Sequence, residues 1–255
     1  MQETVVAGQP VLYQDSLRRS TRTILFLHGA GGTHHTWRDQ WAGLRGTVRL
    51  VIPDLPGHGR SLGSPRETVE GYAAWLREFV RETGLRNLVL AGHSMGGAIA
   101  LQAALDRMEG IDALVLMATG AKLKVSPAIT DAIAGRFREF APELTGWMLG
   151  EESAPYLRED VTRDILSTRP ETFLADFRAC DGFDVRERLG GIRLPTLVVA
   201  GDADRLTPLR YAEFLATRIP GAVLKILPRA GHMVGLEQPE AVNEVLSSFV
   251  QSLGG

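Results

Sequence analysis

From residue 23 to the end of the chain, short apolar runs rich in β-branched residues alternate with longer segments whose apolar residues recur at helical spacing. This alternation predicts a mostly parallel sheet covered by helices. Two earlier apolar runs, 3–7 and 11–14, predict an antiparallel pair of strands at one edge of that sheet. The other strands are predicted at 23–27, 48–53, 87–91, 113–117, 196–200 and 223–227.

Residues 121–189 interrupt this pattern, because they contain aromatic and charged residues but no strand-like run. We predict a helical cap, or lid, inserted here after the sixth strand of an α/β core formed by residues 1–120 and 190–255. An insertion at this point would lie over the carboxyl ends of the strands, where open α/β sheets bind ligands. Its aromatic residues then either line that site or only fill the insertion's own small core.

Charge and cysteine content exclude several classes of partner and site. The 28 Lys and Arg residues nearly balance the 30 Asp and Glu residues, so no basic surface is expected to attract nucleic acid or an anionic membrane. We expect a small-molecule partner; the oligomeric state is not indicated. The single cysteine, Cys180, allows no intramolecular disulfide and no cysteine-based metal site, and a buried structural thiol is expected. No targeting or membrane-spanning segment is evident, which favours a cytoplasmic protein.

The segment around Ser94 carries the strongest chemical signal. An apolar strand runs into Gly92-His93-Ser94-Met95-Gly96-Gly97, a G-x-S-x-G pattern, and then into an alanine-rich helix. The glycines allow a sharp turn from strand to helix that exposes the Ser94 hydroxyl. The start of the helix adds free N–H groups that favour developing negative charge. Ser94 is therefore a candidate nucleophile.

A serine nucleophile needs a base and a group that orients the base. The loop after strand 196–200 carries Asp202 and Asp204, and the loop after strand 223–227 carries His232. Serine, acid and histidine thus follow three strands in the chain order expected for one site at the edge of the sheet. His232 is the candidate base, and both aspartates are candidates for the orienting acid.

Acyl transfer also needs N–H donors for the oxyanion that forms on the carbonyl group. The backbone N–H of Met95 comes with the serine turn, and a second donor is expected from His28-Gly29-Ala30-Gly31-Gly32, with Ala30 preferred to Gly31. No glycine-rich dinucleotide or phosphate motif follows a strand, so no cofactor is implied. The adjacent His34 and His35 point in different directions on a helix, so no metal site is expected.

Together these residues resemble the α/β-hydrolase superfamily over nearly the whole chain. The resemblance also includes the loop at 54–61, which is similar to a structural turn of that family. It implies an eight-stranded, mostly parallel sheet, and its spacing selects Asp204, which is followed by Pro208, as the acid. The family's Gly-His segment followed by Glu and Pro is matched by Gly231-His232 and Glu237-Gln238-Pro239.

Within the superfamily, dehalogenases and epoxide hydrolases place Asp where this chain has Ser94. The resemblance therefore implies a serine carboxylesterase, similar to monoacylglycerol lipases, that cleaves esters of small to medium apolar substrates. Enol-lactone hydrolases, perhydrolases and C–C bond hydrolases are alternatives, although C–C hydrolases often carry Asn in place of His93. A ligand-binding sensor with slow turnover is a further alternative. The residues expected to line the substrate pocket are Gly31, His93, Phe137, Trp147, Leu206 and Met233.

Overall fold

A computed structural model of the protein describes residues 1–254. Its centre is one eight-stranded sheet with the order β1-β2-β4-β3-β5-β6-β7-β8. The strands are β1 (Gln2–Val6), β2 (Gln9–Asp15), β3 (Thr23–Leu27), β4 (Arg49–Pro53), β5 (Leu88–His93), β6 (Ile111–Met117), β7 (Thr196–Gly201) and β8 (Val223–Leu227). The helices are α1 (Arg38–Leu44), α2 (Val69–Thr83), α3 (Met95–Leu105), α4 (Pro127–Met148), α5 (Pro155–Ser167), α6 (Pro170–Gly182), α7 (Arg210–Arg218), α8 (Val234–Glu237) and α9 (Pro239–Ser252).

The sheet has the predicted mixture of strand directions. β1 pairs with β2 and β2 with β4 in antiparallel fashion, and the remaining neighbours are parallel. The predicted fold is confirmed, with small differences at the strand ends. β5 continues to His93, two residues beyond the predicted end, because His93 pairs with Met117 of β6 at the start of the serine turn.

Alternation of side chains along the strands creates a core on each face of the sheet. On β3, Leu25 and Leu27 pack on the side of α2, α3 and α7, whereas Ile24 and Phe26 pack on the side of α1 and α9. The ends of helix α2 are fixed by capping residues. Thr68 caps its start by accepting a hydrogen bond from the N–H of Gly71 at 3.0 Å, and Gly84 ends it with a φ of 65°. The helices therefore fix the sheet from both sides.

Helices α4, α5 and α6 occupy the chain between β6 and β7. α4 is interrupted at Arg136, which has non-helical φ and ψ of −146° and 41°. The three helices share one apolar cluster, which also includes Met233 and Leu236 of the core. The main-chain carbonyl of Met148 accepts hydrogen bonds from the N–H groups of His232 at 2.7 Å and Met233 at 3.2 Å. This segment is thereby fastened to the loop that carries His232.

Among the helices formed by residues 1–254, none has the length and apolar character required to span a lipid bilayer.

Candidate active site

Ser94 lies on a strained turn between β5 and α3. Its φ of 53° and ψ of −117° are unfavourable for a residue with a Cβ atom. The chain passes so closely here that a Cβ on Gly92 would collide with the backbone of Gly96, and one on Gly96 with the carbonyl group of Leu27. The N–H of Ser94 donates to the carbonyl group of Met117 at 2.9 Å, which attaches the turn to β6. The sequence G-x-S-x-G is thus folded as a sharp strand-to-helix turn.

The histidine and one of the two candidate acids meet at the end of β7 and β8. Nδ1 of His232 lies 2.8 Å from Oδ2 of Asp204, and both side chains are buried. The hydroxyl of Thr207 donates to the same oxygen at 2.7 Å. Asp202 is exposed and instead accepts a hydrogen bond from the N–H of Arg229 at 2.6 Å. The geometry therefore brings Asp204, and not Asp202, against His232.

The environment of Asp204 keeps this carboxyl group ionised. Burial raises its pKa, but the electrostatic interaction with His232 and the hydrogen bonds from His232 and Thr207 have the larger combined effect and lower the pKa to about 2. Because a carboxylate only accepts hydrogen bonds, Nδ1 of His232 must carry the proton between them. In the neutral imidazole, Nε2 is then free to accept a proton.

Ser94 and His232 line the same cleft. Among the described residues 1–254, no hydrogen bond joins the two side chains. The lining is mainly apolar and comes from the loops after the strands and from α4, α5 and α6; it includes Val125, Ile129, Leu144, Met148, Val161, Ile165, Phe173 and Phe177. The cleft thus joins the reactive side chains to a large apolar surface.

Four of the six residues predicted for the pocket line the cleft: Gly31, His93, Leu206 and Met233. The prediction is wrong for Phe137 and Trp147, which do not line it. Both rings pack against other aromatic side chains of α4 and α6: Phe137 against Phe173 at 5.5 Å and Trp147 against Phe140 at 5.6 Å between centroids. The sequence shows that these residues are apolar and that they lie on a helix, but it does not show which way their side chains point.

The N–H groups of the turn after β3 differ in whether they have an acceptor. The N–H of Gly31 donates to Oδ2 of the buried Asp176 at 2.7 Å. The N–H of Ala30 has no acceptor among residues 1–254, and Ala30 lines the cleft beside Ser94. Met95 opens α3, where the first N–H groups of a helix lack acceptors within the helix. Met95 packs in the core of the sheet and is not among the residues that line the cleft.

His93 connects the serine turn to the histidine loop. Its Nε2 lies 2.9 Å from the carbonyl oxygen of His232, and since a carbonyl group only accepts, Nε2 carries the proton. Burial is the main reason why the pKa of His93 is lowered to about 3, and the proximity of His232 adds to it. His93 is therefore neutral over the ordinary pH range.

Sequence reasoning missed three residues that contact the predicted ones: Thr207, Thr168 and Asp176. Thr207 follows Asp204 by three residues, and a hydroxyl at that spacing after an acid in a turn is a usable signal. Thr168 donates to the carbonyl group of Gly31 at 2.7 Å. Neither Thr168 nor Asp176 differs by pattern from the other polar residues of its helical segment. Only the fold brings them to the turn after β3.

Within residues 1–254, no group of three or more His, Cys, Asp or Glu side chains is arranged to hold a metal ion. Cys180 is buried and lines the cleft. Burial, followed by the nearby charges of Asp176 and Asp181, raises the pKa of its thiol. This thiol is therefore protonated and a weak nucleophile at neutral pH.

The sequence model of the alpha/beta hydrolase family matches residues 24–245. The chain belongs to this family of hydrolases.

The chain is similar to an esterase, a lactonase and an acetyltransferase component. A thermophilic esterase of known structure is 32% identical, with a TM-score of 0.88 over 99% of this chain and 98% of the esterase. The 3-oxoadipate enol-lactonase 1 of Acinetobacter baylyi is 26% identical over 96% of this chain and 95% of its own length. The dihydrolipoyllysine-residue acetyltransferase component of the acetoin cleaving system of Cupriavidus necator is 30% identical over 91% of this chain. The chain spans 64% of that last protein's length.

Proposed function

We propose that this protein is a serine hydrolase that cleaves carboxylic esters of small to medium apolar substrates through an acyl-enzyme intermediate. The observation that carries the proposal is the strained backbone of Ser94, which faces the same cleft as the buried His232–Asp204 pair. Strain of this kind persists only where the surrounding structure enforces it, and it concentrates at functional sites. The esterase that is 32% identical over nearly the whole chain supports the same class of reaction.

In the proposed mechanism, Oγ of Ser94 attacks the ester carbonyl carbon while Nε2 of His232 accepts the hydroxyl proton. Asp204 holds the Nδ1–H side of the ring and stabilises the imidazolium ion that forms. His232 then returns the proton to the leaving alcohol, and water repeats the sequence to release the acid. The Ser94–His232 contact would close when substrate binds, as hydrogen bonds between catalytic groups often do.

The oxyanion would be stabilised by the N–H groups of Ala30 and Met95. Gly31 is the poorer donor because its N–H is already bound to Asp176. A single oxyanion donor typically contributes about 3 to 4 kcal/mol to transition-state stabilisation.

The substrate class follows from the lining of the cleft. Its charged side chains are balanced by neighbours: Lys124 lies 2.8 Å from Asp181, and Asp164 lies 3.6 Å from Arg38. The remaining apolar surface favours an uncharged acyl or alcohol group, with a few polar atoms to fix its orientation. We therefore propose a neutral small-molecule ester as the partner, with no cofactor and no metal.

We further propose that residues 121–189 act as the cap of this site. Helices α4, α5 and α6 supply most of the apolar lining of the cleft. They also share one apolar cluster, which attaches them to the core of residues 1–120 and 190–255 through Met233 and Leu236.

The test is hydrolysis of p-nitrophenyl esters of graded acyl length by the wild type and by Ser94→Ala. The proposal requires turnover by the wild type and its loss by about 10⁶-fold in the variant, as for other serine nucleophiles, with an unchanged circular dichroism spectrum. Turnover by Ser94→Ala near the wild-type rate would refute it. A wild-type rate below about one per minute on every ester, combined with tight ligand binding, would instead indicate a sensor.

A second candidate is an enol-lactone hydrolase, favoured by the match with the Acinetobacter baylyi enol-lactonase over nearly the full length of both chains. The same attack by Ser94 opens a lactone, except that the leaving oxygen stays attached to the acyl group. A matched panel of esters and lactones distinguishes the two, because kcat/KM should be highest for the physiological class.

A further inference from the structure

Asp176 of α6 is a completely buried carboxylate that the proposed mechanism does not use. It accepts hydrogen bonds from the N–H of Gly31 at 2.7 Å, from Nε2 of His58 at 2.8 Å and from the hydroxyl of Tyr72 at 2.5 Å. A buried charge is costly unless it is paired and hydrogen-bonded. We refer to these four residues as the Asp176 cluster. It joins the inserted segment to the turn after β3, the loop after β4 and α2.

Asp176 and His58 form a buried ion pair. Nδ1 of His58 lies 3.1 Å from the carbonyl oxygen of Pro56, and its Nε2 faces the carboxylate. Because both partners are acceptors, both ring nitrogens carry protons. Burial lowers the pKa of His58, but the carboxylate of Asp176 raises it by more, so the pKa is above its ordinary value. The negative charge of the Asp176 carboxylate is thus balanced by His58, so the N–H of Gly31 is not needed for that purpose.

The contact with Gly31 therefore needs another explanation, which the geometry of the turn provides. The N–H of Gly32 donates to the carbonyl group of Gly29 at 3.1 Å, and Gly31 has a φ of 63° while that of Ala30 is not positive. These features define a type II β-turn with Ala30 and Gly31 at its centre. Types I and II differ by a flip of the central peptide group, and here that group's N–H is the one that binds Asp176.

The inserted segment also holds the other side of Gly31. The hydroxyl of Thr168 donates to the Gly31 carbonyl oxygen at 2.7 Å. The ring of Phe173 lies so close that a Cβ on Gly31 would collide with it. The turn that offers the Ala30 N–H to the cleft is thus fixed by two polar side chains and one ring, all from residues 168–176.

We propose that Asp176 and Thr168 are positioning residues for the oxyanion hole: by holding the peptide groups on either side of Gly31, they fix the turn that carries the Ala30 N–H in the place needed for the transition state. The inference rests on the proposed function, since it requires an oxyanion. A donor on a firmly held turn needs no reorganisation when charge develops, whereas a donor on a loosely held turn does. The effect belongs to kcat and to transition-state affinity, with little change in ground-state binding.

A purely structural role, in which Asp176 only attaches α6 to the core, makes a different prediction. It would change stability, and KM through the shape of the cleft, without selectively weakening the binding of an oxyanion. The discriminating probe is an alkyl trifluoromethyl ketone with the chain length of the preferred ester. Oγ of Ser94 adds to its carbonyl carbon, the hydroxyl proton passes to His232, and the carbonyl electron pair becomes an oxyanion.

The experiment compares two loss variants with their conservative counterparts. Asp176→Ala and Thr168→Val remove the two contacts with Gly31, whereas Asp176→Asn and Thr168→Ser keep an acceptor and a donor there. Thr172→Val is the matched control, because Thr172 lies on the same helix and donates to the carbonyl group of Gly57 at 3.3 Å without touching Gly31. Kinetics on p-nitrophenyl esters and the Ki of the ketone are measured for each.

We expect the two loss variants to lower kcat by about 10- to 100-fold and to raise the Ki of the ketone by the same factor, with KM within about 3-fold. Asp176→Asn, Thr168→Ser and Thr172→Val should stay within about 5-fold of the wild type. The inference is overturned if the Ki of the ketone is unchanged both in a folded Asp176→Ala variant and in Thr168→Val. If Asp176→Ala does not fold, the Ki of Thr168→Val alone decides whether the inference holds. A wild type that hydrolyses no ester removes the proposed function and the inference with it.

Discussion

Nε2 of His93 donates a hydrogen bond to the main-chain carbonyl group of His232 across 2.9 Å. The residue before Ser94 is thereby tied to the loop that carries the imidazole. Since β5 and β8 are not neighbours in the sheet, this contact connects two strand ends that the backbone ladder does not join. We expect this contact to help set the position of the imidazole relative to Ser94.

Replacement of His93 by Leu should therefore disturb catalysis and stability together. The carbonyl group of His232 would lose its buried donor, at a cost of about 1 to 3 kcal/mol in unfolding free energy. We expect kcat for ester hydrolysis to fall by about 10-fold. His93→Gln, whose amide can donate from a similar position, is the control. Equal kcat values for the Leu and Gln variants would contradict the assigned role of the hydrogen bond.

The two aspartates of one loop offer a matched test of the orienting acid. Asp204→Asn leaves the size of the side chain unchanged but allows the wrong tautomer of His232, so kcat should fall by about 10⁴-fold, as it does in other serine hydrolases. Asp202→Asn should leave kcat within about 2-fold of the wild type, because Asp202 only accepts from the Arg229 N–H. The reverse order of the two effects would reassign the acid.

Stability should depend on acid pH through Asp204. Its pKa lies at about 2, below the ordinary value of 3.8, so the ionised form contributes about 2 kcal/mol. Because the folded-state pKa is the lower one, this contribution is present above about pH 4 and is lost as the pH falls towards 2. Urea unfolding of the wild type and Asp204→Asn between pH 7 and pH 3 should give a free-energy difference that narrows below pH 4. A difference independent of pH would exclude this linkage.

The strained backbone at Ser94 should lower the stability of the folded protein. Ser94→Gly and Ser94→Ala both remove the nucleophile, but only glycine adopts a φ of 53° and a ψ of −117° without penalty. We expect Ser94→Gly to be more stable than Ser94→Ala by about 1 kcal/mol in urea unfolding, after allowance for the greater freedom of unfolded glycine. If the alanine variant is the more stable one, the turn is not strained.

Local patterns in the sequence were sufficient to predict the sheet, because short apolar runs and the glycines around Ser94 act over a few residues. The same holds for Asp204 and His232, which come directly after predicted strands. Pocket residues on α4, α5 and α6 were harder to predict. Phe137 and Trp147 differ from the lining residue Phe173 only in the direction that each side chain takes, and that direction is set by how α4 and α6 pack.

Asp176 illustrates a second limit of sequence reasoning. In the sequence it is one acidic residue among several on a polar helix, and nothing local distinguishes it from the exposed Asp181. Its burial is tolerated because other elements supply three hydrogen-bond donors: Gly31, His58 and Tyr72. Such a partnership can be found only when distant parts of the chain have been placed together.

The contact between Gly31 and Asp176 joins positions 145 residues apart, and it has a consequence for protein engineering. Exchange of the helical segment for that of a relative is an obvious route to new substrate preferences. In this chain such a chimera would leave the Gly31 N–H without its hydrogen-bond acceptor, unless the segment taken from the relative has a carboxylate at the position of Asp176. Residues 28–32 and 168–176 should therefore be transplanted as one unit.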